Sequence, residues 1–173
     1  MGGMKKNVLE AFNRQIHLEF EAAMLYLHFS VCLQEHGLPG CSHWLRQQFH
    51  EECGHALRLI TYLGERRVAA TVPALGAPHC PVEHPLAVFE QVLAHEQRVT
   101  LAVDALVALC RTESDFASEN LMMQYVREQV EEENDAADIV DCLRLAEDNR
   151  AALLRIDRHL GKRKDAKHRR EWS

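Results

Sequence analysis

With 173 residues, 47% of them hydrophobic and 27% charged, the chain can bury a sizeable core as one domain, which argues against any need for disulfide staples or a second domain. The net charge of -6 is uneven: residues 162–173 carry +4 and the remainder -10, an acidic body that argues against nucleic acid as the main partner and favours cations. Six cysteines are scattered with no C-x-x-C pair, no apolar run marks a signal peptide and no stretch reads as membrane-spanning, so a reduced, cytoplasmic protein without a membrane partner is expected.

Only 5 Pro and 8 Gly are present, gathered in a few places, which predicts long uninterrupted helices. The first runs from about Lys5 to Glu35 on a stripe of Leu9, Phe12, Ile16, Glu19, Ala23, Tyr26 and Leu33, at steps of three and four. Glu19 therefore occupies a core position. Gly37, Pro39 and Gly40 stop this helix, and so short a connection makes the second helix an antiparallel neighbour. Ser42 reads as the N-cap of that helix, which extends to about Arg66. Its stripe is Leu45, Gln48, Glu52, His55, Leu59 and Tyr62, in which Glu52 and His55 stand at i and i+3 and can close on one ion. Taken alone, such a pair is more often a hydrogen-bonded structural contact than a ligand set. Gly54 costs about 1 kcal/mol inside a helix, which points to the close approach of a neighbour there.

Residues 67–84 carry Pro73, Gly76, Pro78 and Pro81 and show no helical pattern. A helix of the preceding length measures about 37 Å, whereas this segment, extended, reaches about 60 Å. The connection can therefore cross the whole bundle and start the third helix parallel to the second. His79, Cys80 and His84 match no strong zinc spacing and read as exposed loop residues. Pro85 opens the third helix, to about Arg111, with Glu96 interrupting a stripe of Phe89, Val92, Val99, Val103 and Leu106. After a tight turn at 112–114, the fourth helix runs from about Asp115 to Glu147 and carries Gln129 and Glu132 on its inner stripe, again at i and i+3. A short fifth helix is expected from about Arg150 to Leu160, with Gly161 as its stop.

All four long helices thus place Glu or His among apolar residues: Glu19, Glu52 with His55, Glu96, and Gln129 with Glu132. Four buried carboxylates need compensation, since each charge taken out of water costs several kcal/mol, and no Lys or Arg falls on these stripes. A pair of divalent cations supplies it. Oxygen ligands with one nitrogen suit iron or manganese better than copper, and the lack of thiolate argues against structural zinc. One Glu from each of two helices and i, i+3 pairs from the other two is the di-iron carboxylate arrangement.

The stretches Gln15-Ile-His-Leu-Glu19 with Tyr26, Glu51-Glu52-Cys53-Gly54-His55, His95-Glu96-Gln97 and Glu128-Gln129-Val130-Glu131-Glu132-Glu133 resemble those of the non-haem bacterial ferritins, and the likeness spans about Asn7 to Leu160. The resemblance implies an all-α, ferritin-like four-helix bundle with a long crossover between helices 2 and 3 and a short fifth helix lining a four-fold axis. It implies a di-iron centre in which Glu19 and His55 hold the first iron, Glu52 bridges, Glu96 holds the second and Gln129 lies beside it. A third iron position would be built from Glu51, Glu128, Glu131 and Glu132, and Tyr26 would stand next to the ferroxidase centre. The activity implied is oxidation of ferrous iron by dioxygen or peroxide and storage of the ferric mineral in a cage of 24 identical subunits. Residues 1–161 would form this domain and residues 162–173 a basic, flexible tail outside the family pattern.

Departures from related patterns narrow the expectation. Haem-binding cousins carry a second Glu-x-x-His where this chain has Gln129-x-x-Glu132, and a haem-ligating Met where it has Cys53, so haem is not expected. A rubrerythrin-like peroxidase shares the ligands but usually brings a C-x-x-C rubredoxin module, which is missing here, and a purely structural bundle would bind no metal.

Overall fold

The computed structural model of the protein describes residues 4–78, 84–147 and 149–162. Five helices account for its regular structure, with no strand among the described residues: α1 (Lys6–Glu35), α2 (Pro39–Glu65), α3 (Pro85–Thr112), α4 (Phe116–Ala146) and α5 (Arg150–Leu160). The four long helices fall within a few residues of the periodicity boundaries because each has an apolar stripe that only a helix can gather on one side.

The starts of these helices are set by contacts that lie far away in sequence. Helix α2 begins at Pro39, earlier than the expected Ser42, with Pro in the first turn where a missing N–H does no harm. Ser42 does not cap it and is itself fully buried. Instead Asp157 of α5 accepts a 2.8 Å hydrogen bond from the Cys41 N–H, so a buried carboxylate from another helix does the capping. Gly40, expected only to help stop the first helix, is where α5 presses on α2: a Cβ there would lie 1.7 Å from the Asp157 carbonyl oxygen. Gly54 departs from expectation in the other direction, because a Cβ on it would meet nothing within 4 Å. His84, the described member of the loop trio, caps α3 by accepting from the Leu86 N–H at 3.2 Å, while His79 and Cys80 lie outside the described residues. Asp115 caps α4 through Ser118 rather than belonging to its first turn.

Helices α1 and α2 pack as one antiparallel pair, α3 and α4 as another, and α1 lies against α3. Two apolar clusters fix the directions. One joins Phe29 and Leu33 at the end of α1 with Leu45 at the start of α2, Phe89 at the start of α3 and Leu143 at the end of α4. The other joins Phe12 and Ile16 with Leu59, Val103 and Met122 at the opposite end of each helix. Trp44 and Phe89 meet with ring centroids 5.4 Å apart, so α2 and α3 start side by side and run parallel, and the connection between them crosses the bundle as expected. Its first half is mostly exposed and is tied back to α1 by the Thr71 N–H on Asn13 Oδ1 at 2.9 Å.

Contrary to the expectation that no stretch reaches membrane-spanning length, α1 is long and apolar enough to cross a membrane by length and composition alone. Its apolar side is spent inside the bundle on Phe12, Ile16, Tyr26, Phe29 and Leu33, with Gln15 and Glu19 buried among them.

Candidate metal centre

Between the two apolar clusters the stripes turn polar at the same height on every helix. Glu19, Glu52, Glu96, Gln129 and Glu132 are all buried there, at most 5% exposed, and His55 is nearly so. The coincidence follows from register, because α1 and α4 run one way and α2 and α3 the other, and each carries its carboxylate near mid-length.

The tightest part of the centre unites α1 and α2. One ligand atom each from Glu19, Glu52 and His55 lie within 4.8 Å of one another, with His55 Nδ1 3.2 Å from Glu52 Oε2 and 3.9 Å from Glu19 Oε2. Glu19 is aimed by Gln15, whose amide donates to Oε1 at 2.9 Å, while its buried Oε2 accepts no hydrogen bond. A carboxyl oxygen buried without a donor is costly to ionise, and a cation is the partner that suits it.

The second part unites α1, α3 and α4. The Tyr26 hydroxyl donates to Glu96 Oε1, and the Gln129 amide reaches both the backbone carbonyl and Oε2 of Glu96 at 3.4 Å. Glu132 accepts from the Gln48 amide at 2.7 Å. The His95 ring stands edge-on to Tyr26, with centroids 5.9 Å apart.

The electrostatics are those of a site waiting for positive charge. Burial, reinforced by the charge of Glu52, pushes the Glu19 carboxyl up to about 8. Burial with the charge of Glu51 does the same for Glu132, to about 8, and burial puts Glu96 at about 7 with Glu19 adding to the rise. Glu52 is raised well above the carboxylate range by burial and then by Glu96. Four carboxylates that resist ionising together will do so once cations replace their protons. The Cys53 thiol is also pushed up, by burial and by Glu52, and so is not disposed to act as a thiolate ligand. The donors present, carboxylates with one imidazole, fit hard or borderline divalent ions such as ferrous iron.

Of the outer carboxylates, Glu128 reaches the centre, with Oε2 3.7 Å from His55 Nε2. Glu51 is half-buried and makes itself felt as charge on Glu132 and Glu52. Glu131 is exposed, one turn along α4 from Glu128. Several contributors were not singled out as site residues on sequence grounds. Gln15 and Gln48 orient carboxylates, Tyr125 donates to the His55 carbonyl at 2.8 Å, and Arg58 pairs with Glu128. Gln48 and Tyr125 do stand on the inner stripes, so a buried amide or phenol within a turn of a ligand was the available signal. Arg58 lies off its stripe and gave none.

Comparison with known proteins agrees with this geometry. Residues 9–146 match the family described as "Ferritin-like domain". A bacterial non-heme ferritin of Bacteroides fragilis is 38% identical over 160 residues, covering 92% of this chain and 99% of the relative, and one of Campylobacter jejuni is 34% identical over 157 residues, covering 91% and 94%. Among solved structures, an open-pore ferritin from the hyperthermophilic archaeon Archaeoglobus fulgidus superposes with a TM-score of 0.91 at 40% identity, covering 94% of this chain and 100% of its own. With the bundle, the buried carboxylates and these likenesses in agreement, the chain belongs to the ferritin family.

Proposed function

We propose that this protein is the subunit of an iron-storage cage with ferroxidase activity, a homo-oligomer of 24 subunits working in the cytoplasm. The observation that carries the reading is the convergence of Glu19, Glu52 and His55, with Glu19 Oε2 buried and without a donor. Glu19 and His55 bind the first ferrous ion, Glu52 bridges, and Glu96 binds the second beside Gln129. Two ions held together each give up one electron, so the pair delivers two electrons to dioxygen, forming hydrogen peroxide with two protons, or to peroxide, forming water. Tyr26 fixes the free orientation of Glu96 by its hydrogen bond, and burial of the carboxylates excludes bulk water. Glu51, Glu128, Glu131 and Glu132 form a third, more solvated iron position on the way out. The description of a solved relative as an open-pore ferritin supports the hollow assembly, and the bacterial non-heme ferritins support the absence of haem.

Aerobic addition of ferrous iron, with ferric absorbance and particle size followed together, tests the proposal. The wild-type protein should oxidise iron rapidly as a large particle. Glu52→Ala or His55→Ala should slow the fast phase at least roughly 100-fold, because misplaced reactants lose their common geometry, while the particle still forms. Wild-type rates in both variants would remove the assignment of the centre, and a small particle would remove the cage.

A further inference from the structure

Arg58 lies one turn after His55 on α2, at the rim of the centre. Its guanidinium faces the Glu128 carboxylate of α4 with Nη2 3.3 Å from Oε1 and Nη1 3.4 Å from Oε2, a loose two-pronged pair. The same guanidinium lies over the ring of Tyr125, with Cζ 5.1 Å from the centroid. Tyr125 in turn holds the backbone carbonyl of His55 through its hydroxyl at 2.8 Å, and the His55 ring meets it edge-on at 5.5 Å. Glu128 thus stands between a fixed cation on one side and the His55 ring on the other, Oε2 being 3.7 Å from His55 Nε2. Neither side chain of the pair is fully solvated: Arg58 is 22% exposed and Glu128 28%.

From this geometry we infer that Arg58 is a positioning residue that holds Glu128 on the rim and keeps the third iron position weak. The inference rests on the reading of Glu128 as a ligand of that position. A carboxylate already facing a guanidinium must leave it to serve a cation, and the cation then sits beside a fixed positive charge. Both effects disfavour a resident ion beside Glu128 but leave the inner pair to fill first, since the guanidinium faces Glu128 and the Tyr125 ring. An ion passing outward is therefore not trapped at the exit. Stacking on Tyr125 matters because it fixes where the guanidinium sits, which a flexible ammonium at the same position would not reproduce.

The test is anaerobic titration of the assembled protein with ferrous iron, repeated with zinc as a redox-inert probe, following the number of ions bound per subunit and their affinities. Wild-type protein should show two tight ions and a weak third. In Arg58→Ala the third ion should tighten on the order of tenfold, since a unit charge a few ångströms away is worth that much at the partly screened rim, with the first two unchanged. Arg58→Gln, which keeps the side-chain bulk, should repeat the gain, and Arg58→Lys should fall between. Adding Glu128→Gln to Arg58→Ala should abolish it. A third-ion affinity equal to wild type in both Arg58→Ala and Arg58→Gln, with the tight pair intact, overturns the inference, and a lowered melting temperature with that unchanged affinity would mark Arg58 as a structural ion pair only. Failure of the wild-type protein itself to bind a tight pair would instead overturn the proposed function.

Discussion

The ends of the bundle and its waist are built on opposite terms. At each end, residues such as Phe12, Leu59 and Met122, or Phe29, Phe89 and Leu143, are removed from water with no polar group to satisfy, and each burial contributes about 1.5–3 kcal/mol. At the waist Glu19, Glu52, Glu96 and Glu132 are buried just as deeply, and without cations each resists ionising beside the others. The ends stabilise the fold, and the waist draws on that stability to keep ligands in place before any ion arrives. The difference teaches that a ligand set this strained in the metal-free protein requires two apolar plugs flanking it.

The contrast breaks most visibly by exchanging the roles of the two regions. Phe89→Ala should cost about 3–5 kcal/mol, because the ring is fully buried against Trp44 and the space cannot collapse. Glu52→Gln, which keeps the shape and removes the ionisable group, should leave the metal-free protein within about 1 kcal/mol of wild type. Denaturant unfolding of both variants under chelation checks this, and an equal loss in the two would erase the distinction.

A smaller effect comes from pH. Glu19 and Glu132 keep their protons up to about 8 and Glu96 up to about 7 in the folded chain, against 4.5 for an ordinary carboxyl. Above 4.5 the unfolded chain loses protons that the folded chain retains, so this contribution is complete below 4.5 and disappears as pH rises through 8. Metal-free stability should therefore fall over that window by on the order of a few kcal/mol. Saturating divalent cation should reverse the trend, since deprotonated carboxylates are what it binds. Melting curves with and without chelator decide the matter, and a flat metal-free profile would show that the waist is not electrostatically strained.

The smallest effect is expected outside both regions. Removing residues 162–173, a charged segment with little apolar content, should leave particle size and oxidation rate unchanged. Light scattering that found only dimers after the truncation would assign the tail a part in assembly.

Much of this was legible in the chain itself. The periodicities gave four long helices and a short fifth, and Glu19, Glu52, His55, Glu96, Gln129 and Glu132 could be placed inward by counting along each helix, because helical geometry depends on nothing beyond the segment. Cross-helix contacts were not available to such counting. Gly40 looked like a helix stop but is the point where the Asp157 backbone comes too close for any Cβ, and Ser42 looked like a cap where Asp157 provides one. Arg58, off the stripe, is long enough to reach Glu128 on another helix, so its position along α2 alone did not place it at the centre.

Sequence by itself therefore determined which residues are helical, which faces are apolar and where each face turns acidic, since these follow from local spacing and solvation. Tertiary structure decided which of those faces meet, how the mid-helix carboxylates come to one height, and which amides, phenols and guanidinium orient them. Those outcomes depend on register between segments far apart in the chain, and register is fixed by the simultaneous packing of Trp44 on Phe89 at one end and the Phe12 cluster at the other.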